Sequence, residues 1–461
     1  MISAEERQQK NIAKKEAKRE MMLNGKLLKV IPILAIPMVI TTLIDSLYNL
    51  ADTFFVSQLG IYATAAVGVN DSLLHVLRSI AMGFGVGASS YISRLLGAKK
   101  DEQAHKVAAT TLFTAIIFMS FVAVITFVIR EPFVDLLGAT EMSHSLAVDY
   151  ATFILFSAPL TAGEVCCSQL LRSEGNTLYS MIGMVSGCVI NCALDPIFIN
   201  KLQMGVGGAA LATTISKAIS FSILLVPFLR KRTIIELKFK NFKPSKQIYK
   251  EVARMGIPTF LRMGTMTFGS IVRNNVAGSF SDAALAASSV SNKSTKFMSS
   301  AILGFGQGFQ PLAGFCYGAK KYKRVRDGFW TCTAIGVVCC TIIGIVMAIF
   351  APELILIFAT DPKTVSLGTI MIRTQCATMI FHCWIMIVNG FFTALGKSVY
   401  ATIMGLSRQV LCLIPSILVL SYFFGERGLA HSQAATDILA VCIAIPMVAK
   451  IMKELKQKEL E

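Results

Sequence analysis

Long apolar runs separated by short polar islands fill almost the whole chain. They fall near 28–52, 61–90, 104–129, 145–171, 177–200 and 205–229, and again near 250–275, 282–315, 328–351, 365–393, 398–422 and 428–450. A hydrocarbon core of about 30 Å takes about 20 helical residues to cross. The pattern therefore predicts an all-α polytopic membrane protein with twelve transmembrane helices. The second and eighth runs are longer than one crossing needs, so they are expected to include interfacial turns.

The runs form two sets of six because the chain repeats itself. Ile36-Pro37 recurs as Ile257-Pro258, and Gly83-Phe84-Gly85-x-Gly87 as Gly304-Phe305-Gly306-x-Gly308. Gly97-Ala98-Lys99-Lys100 returns as Gly318-Ala319-Lys320-Lys321, and Gly175 and Tyr179 return as Gly396 and Tyr400, all at a spacing of 221 residues. A register kept this long implies two homologous halves. Six spans per half is an even number, so both halves share one orientation; two six-helix lobes related by a pseudo-twofold along the membrane normal are expected, with a cleft between them. The expected division is an amino-terminal basic segment (1–26), a first lobe (27–229), a basic linker (230–249) containing Pro244, a second lobe (250–451) and a tail (452–461).

Charge fixes the expected topology. The chain is 54% hydrophobic and 15% charged, with a net charge of +17, and its mean hydropathy is +0.63. Basic residues cluster before span one (Lys10, Lys14, Lys15, Lys18, Arg19, Lys26), after span two, in the linker, after span eight and in the tail, whereas 53–60 and 276–282 hold none. By the positive-inside rule both termini are cytoplasmic, in a multi-pass protein of the cell (inner) membrane. The excess charge then reports topology, and no nucleic-acid partner is expected. The polar first 26 residues and the long first span do not read as a cleaved signal peptide. Twelve cysteines lie mostly within apolar spans without CxxC spacing, and five histidines include no HExxH. No catalytic metal or enzyme motif follows from them.

Candidate chemistry comes from polar residues placed in hydrocarbon, where an acid costs on the order of 3 kcal/mol on insertion scales. Asp45, Asn49 and Asp52 share one face of span one. Asn191 and Asp195 share a face of span five and are followed by Pro196, which frees a backbone carbonyl. Thr213 in span six reaches a comparable depth. Asp52, Asn191, Asp195, Thr213 and Asn49 are expected to converge in the outer part of the first lobe, with Asp45 deeper. Two acids with amide and hydroxyl oxygens suit a small hard cation such as Na+; two neighbouring carboxylates also disfavour joint ionisation, which suits a proton carrier. The residues leave both open. Glu164 is expected either to meet a cationic substrate in the cleft or to pair with Arg172. Within the repeat Asp52 answers to Arg273, Asp45 to Met266, Asp195 to Ser416 and Glu164 to Ile385. The second lobe is read as polar but without a buried acid, through residues such as Gln307, Asn275, Arg273, Gln375 and His382, and no ion site is expected there. Gln307 and Asn275 join Glu164 as candidate cleft residues. Pro37, Pro258 and Pro196 are candidate hinges.

The segments Tyr48-Asn49-Leu50-Ala51-Asp52-Thr53-Phe54-Phe55-Val56, Gly85-Val86-Gly87-Ala88 through Gly97-Ala98, Arg172-Ser173-Glu174-Gly175-Asn176 and Asn191-Cys192-Ala193-Leu194-Asp195-Pro196 resemble the multidrug and toxic compound extrusion (MATE) transporters, in their bacterial MepA-like and DinF-like branch. Gly205-Val206-Gly207-Gly208-Ala209-Ala210 and Ala394-Leu395-Gly396-Lys397 extend the resemblance, which covers nearly all of 27–451. It implies a MATE-type fold and secondary active efflux of lipophilic, often cationic organic compounds by antiport with H+ or Na+. Xenobiotic and antibiotic resistance, function as a monomer and no cofactor beyond a coupling ion are further implications. The family's first-lobe cation site maps onto Asp52, Asn191, Asp195 and Thr213; Asp45 and Glu164 match no family position. The alternative is a lipid-linked precursor flippase of the same superfamily, which typically has two further spans and an arginine-rich cavity.

Overall fold

The computed structural model describes residues 4–357 and 361–461, without the side chains of residues 4, 5, 7, 8, 10, 11 and 14. Residues 1–3 of the predicted 1–26 segment and the side chains of Lys10 and Lys14 lie outside that description. Among the described residues all regular structure is helical. The helices are α1 (Ala4–Asn24), α2 (Leu27–Ser57), α3 (Ile61–Gly97), α4 (Asp101–Val128), α5 (Arg130–Leu136), α6 (Glu141–Ser173), α7 (Thr177–Pro196), α8 (Gly205–Leu229), α9 (Lys246–Phe280), α10 (Asp282–Gly318), α11 (Tyr322–Ile349), α12 (Ala351–Leu356), α13 (Pro362–Ala394), α14 (Ser398–Leu406) and α15 (Leu413–Leu460). Wider π-turns follow α7 at Ile197–Lys201 and α14 at Ser407–Cys412.

The sequence repeat is also a repeat of backbone. The pairs α3 and α10, α4 and α11, and α6 and α13 each begin and end 221 residues apart. Their turns match as well: Gly175 and Gly396 adopt φ 78° and 73°, and Lys99 and Lys320 both adopt φ 58°. Left-handed φ is costly for a side chain, so the shared lysine conformation marks a turn enforced by its surroundings. There the Lys100 N–H donates to Leu95 O and the Lys321 N–H to Cys316 O, both at 2.9 Å. Gly425, at φ 59° and ψ −138°, interrupts α15. That break falls between the predicted spans 398–422 and 428–450.

By length and composition, eight helical stretches among the described residues can cross a membrane: α2, α4, α6, α7 with its π-turn, α8, α11, α13 and the continuous Ser398–Leu460. The twelve predicted spans exceed this number for two reasons. Ser398–Leu460 contains two of them across Gly425, and α3, α9 and α10 are long enough but carry polar residues such as Asn70, Asp71 and Arg78, Arg262 and Arg273, and Lys293 and Gln307. Those polar residues lower the apolar content that a simple membrane span requires, because each is costly in hydrocarbon.

Two compact units form, Met1–Gly25 with Ile40–Ile257, and Lys26–Val39 with Pro258–Glu461. In the first, α6 is buried along most of its carboxy-terminal half and packs against α3, α4 and α8; in the second, α13 packs against α10, α11 and α15. The unit bounds lie inside α2 and α9, beside Pro37 and at Pro258, not at the linker 230–249. Close backbone packing explains this. An added Cβ on Gly87 of α3 would lie 2.3 Å from Val252 O at the start of α9, and one on the equivalent Gly308 of α10 would lie 2.4 Å from Ala35 Cα in α2. Only glycine admits such approach.

The amino-terminal segment is a docked helix. Met22 of α1 is fully buried, Lys18 Nζ donates to Asn176 Oδ1, and Arg19 pairs with Asp101. The linker docks on the same unit: Phe239 and Phe242 stack together and pack edge-on against Phe113 of α4. Glu174, fully buried after α6, accepts from the Ile234 N–H at 2.6 Å and the Ile235 N–H at 3.1 Å. One carboxylate thus ties the turn, the linker and, through Asn176, α1 together.

Candidate functional site

In the first unit the structure joins three of the predicted residues directly. Asn191 and Asp195 lie one turn apart on α7, and Thr213 faces them from α8. With the Asn191 amide oriented to satisfy both neighbours, its Nδ2 donates to Asp195 Oδ2 at 2.9 Å and its Oδ1 accepts from Thr213 Oγ1 at 3.3 Å. All three side chains are buried, Asp195 completely. Asp52 of α2 stands alongside, close enough to Asp195 for the two carboxylates to repel. Asp195 Oδ1 and Asp52 Oδ1 are both buried without a hydrogen-bond partner. Such atoms are expensive unless something binds them. Pro196 ends α7, and without an N–H it leaves the carbonyl one turn earlier short of a donor. The partnerless carboxylate oxygens, with a hydroxyl and an amide beside them, fit a proton or a small hard cation.

Three neighbours were not anticipated. Tyr48, one turn before Asp52 on α2, hydrogen-bonds Thr213 and sits in the field of both acids. Tyr150 of α6 is buried against the same group, and Asp71 of α3 lies close to Asp52. Asp71 is an acid inside a predicted span, so the intramembrane-charge rule would have singled it out. The tyrosines had no such signal.

Asp45 and Asn49 are engaged elsewhere. Asn49 is exposed, and its Nδ2 donates to its own helix at Asp45 O, 2.5 Å away. Asp45 Oδ2 pairs with Arg78 Nη2 of α3 at 2.8 Å. Glu164 does not pair with Arg172: its Oε2 lies 2.8 Å from Lys217 Nζ of α8, and its Oε1 accepts from Ser220 Oγ at 2.7 Å. Arg172 Nε donates instead to Ser180 Oγ at 3.0 Å. Of the other candidate cleft residues, Gln307 is half-buried on α10 and Asn275 is exposed on α9.

The expectation that the second lobe lacks a buried acid is overturned by Asp437 of α15, which is fully buried. Its Oδ1 meets Arg408 Nε at 2.8 Å and His382 Nδ1 at 3.7 Å, and its Oδ2 faces Gln375 and Thr378 at 3.4 and 3.5 Å. Asp437 lies within the last apolar span but aligns with Ser216 in the repeat, so checking first-half acids against their counterparts passes over it. An arginine already compensates this carboxylate. Arg273, the counterpart of Asp52, is buried and hydrogen-bonds Ser288 through its Nε and Nη2.

Comparison with known proteins agrees with the repeat. The MatE family model matches the chain twice, over residues 37–197 and 258–419. The chain is 28% identical over 422 residues to Multidrug export protein MepA of Staphylococcus haemolyticus (strain JCSC1435), covering 91% of this chain and 93% of that protein. It is 27% identical over 420 residues to the protein of the same name from Staphylococcus aureus (strain NCTC 8325 / PS 47), covering 90% and 92%. Among solved structures, the outward-facing conformation of a multidrug resistance MATE family transporter of the MOP superfamily superposes with a TM-score of 0.91 at 26% identity, covering 95% of this chain and 98% of that one.

Proposed function

This chain belongs to the MatE family, and from that premise we propose that it is a multidrug efflux transporter, a secondary antiporter that exports lipophilic cationic compounds in exchange for H+ or Na+. The observation that carries the coupling half of this reading is the pair of buried, partnerless carboxylate oxygens on Asp52 and Asp195, set beside Asn191 and Thr213. An arriving cation relieves their mutual repulsion and supplies the missing partner. Na+ would be held by those four side chains, with Tyr48 at the margin; a proton would be shared between the acids. Loading draws α2 toward α7, and Pro37, beside the unit boundary within α2, absorbs the bend, with Pro258 as its counterpart in α9. Exchange follows if cation and substrate favour different arrangements. The chain works as a monomer in the cytoplasmic membrane; the basic islands support the placement of both termini inside.

Purified protein in liposomes, assayed for gradient-driven movement of a fluorescent organic cation and for scrambling of a fluorescent polyprenyl-linked precursor, tests this reading. Movement of the cation is expected. Precursor scrambling without cation movement would put the flippase in its place.

A further inference from the structure

The second unit buries a cation that no acid answers. Arg273 of α9 is 6% exposed. Its Nε and Nη2 donate to Ser288 Oγ at 3.0 Å and Ser288 O at 3.2 Å, both neutral acceptors on α10. Among the described residues it forms no ion pair, and the charge whose field reaches it is the like one on Arg408. Arg408, in the π-turn before α15, has a side chain 11% exposed and is answered by Asp437 through Nε alone. Asp437 is otherwise occupied by Gln375, Thr378 and His382. Setting Arg273 and Arg408 against Asp437 leaves one positive charge over, and an unanswered charge in a buried setting is costly.

A third donor stands at the same level. A Cβ on Gly269, one turn before Arg273, would lie 3.0 Å from Leu413 Cδ2 and 3.3 Å from Gln409 O. Ala277, one turn after Arg273, shares a hydrophobic cluster with Leu413 and Ile417. Arg273 is therefore level with the turn of α15 that carries Ser416, whose Oγ is buried without a hydrogen-bond partner. Nη1 of Arg273 and both Nη groups of Arg408 also make no hydrogen bond among the described residues. Guanidinium nitrogens only donate, and a serine hydroxyl can turn to donate as well.

The repeat gives this arrangement its meaning. Arg273 and Ser416 occupy the positions that Asp52 and Asp195 hold in the first half. Two carboxylates there present acceptors to a cation; here a guanidinium and a hydroxyl, joined by a second guanidinium, present donors. We propose that Arg273 and Arg408 hold a chloride ion between them, with the Ser416 hydroxyl as third donor, so that the second unit contains a small-anion site. Charge-assisted donors on two sides of one anion make the strong kind of hydrogen bond. The burial of both guanidiniums favours a monatomic ion over a phosphate or a lipid headgroup.

The test is chloride NMR on the full chain in phosphatidylcholine nanodiscs, at fixed Na+ with gluconate as the balancing anion. Wild type is expected to broaden the chloride line beyond empty nanodiscs, and bromide, but not sulfate, is expected to reverse the broadening. Arg273→Gln should weaken binding at least about tenfold, the worth of a hydrogen bond to a charged group. Arg273→Lys should retain binding that Arg273→Gln loses. Ser416→Ala, which leaves the buried charges in place, should weaken it by about threefold to tenfold. Arg373→Gln, at an exposed arginine of α13, should bind as wild type does. No excess broadening in wild type, or equal broadening in Arg273→Gln and Ser416→Ala, overturns the site. So does reversal by sulfate as readily as by bromide, or an equal loss in Arg373→Gln, either of which would assign the broadening to surface charge.

Discussion

Replacing Glu174 by Ala probes the junction between α1, the α6–α7 turn and the linker. The side chain is fully buried, and its Oε2 takes the N–H groups of Ile234 and Ile235, themselves buried. Alanine leaves both donors without a partner, at about 1–3 kcal/mol each. A total of about 2–6 kcal/mol follows, at the upper end for a single substitution. Because every 1.4 kcal/mol is tenfold, hydrogen exchange at 234 and 235 should accelerate by at least about 30-fold, measured on the full chain in nanodiscs. Glu174→Gln, which keeps one acceptor, should fall between alanine and wild type. Burial pushes the Glu174 carboxyl above the usual glutamate range, against the pull of Lys18 and the N–H donors of Ile235, Asn176 and Ile234. An acid raised on folding contributes stability that is complete below its unfolded value, about 4.3, and lost as pH rises through its folded value. Protection of the linker should therefore weaken as pH climbs through that window, and stay level in Glu174→Gln. Unchanged exchange at 234 and 235 in Glu174→Ala would refute the idea that this carboxylate holds the linker.

The glycine contact and the second-unit acid give two further predictions. Gly87→Ala would press a Cβ against Val252 O at 2.3 Å, whereas a Cβ at Gly68 of the same helix meets nothing within 4 Å. The first should therefore cost about 1–3 kcal/mol and lower the thermal midpoint in detergent, and Gly68→Ala should not. Asp437→Ala would strand Arg408 and is expected to cost about 3–5 kcal/mol; a thermal midpoint like that of wild type would show that the pair is dispensable.

Much of this architecture was legible because it is periodic. Apolar runs of bilayer length outline the helices, and the 221-residue register predicts which of them match, down to the shared turn at Lys99 and Lys320. Asn191 and Asp195 could be placed together because a separation of four within one helix fixes a common face, and Pro196 adds a local cue. Partners across helices were another matter. Lys217 is 53 residues from Glu164, on a helix whose rotation no spacing reveals, so the nearer Arg172 drew the expectation. Arg78, Asp71 and Asp437 were visible as charges inside apolar spans. Of the three, only Asp437 escapes a comparison that starts from first-half acids, because its counterpart there is Ser216. The unit bounds within α2 and α9 depend on backbone contacts at Gly87 and Gly308, which hydropathy does not encode.

Asp195 is where the account is most exposed. Efflux of a fluorescent organic cation from proteoliposomes, driven by an imposed proton gradient or by an imposed Na+ gradient, should proceed in wild type under one of the two. It should be abolished in Asp195→Asn, which preserves shape but removes the charge that the cation answers. Undiminished gradient-driven efflux by a well-folded Asp195→Asn protein would contradict the coupling role given to Asp52, Asn191, Asp195 and Thr213.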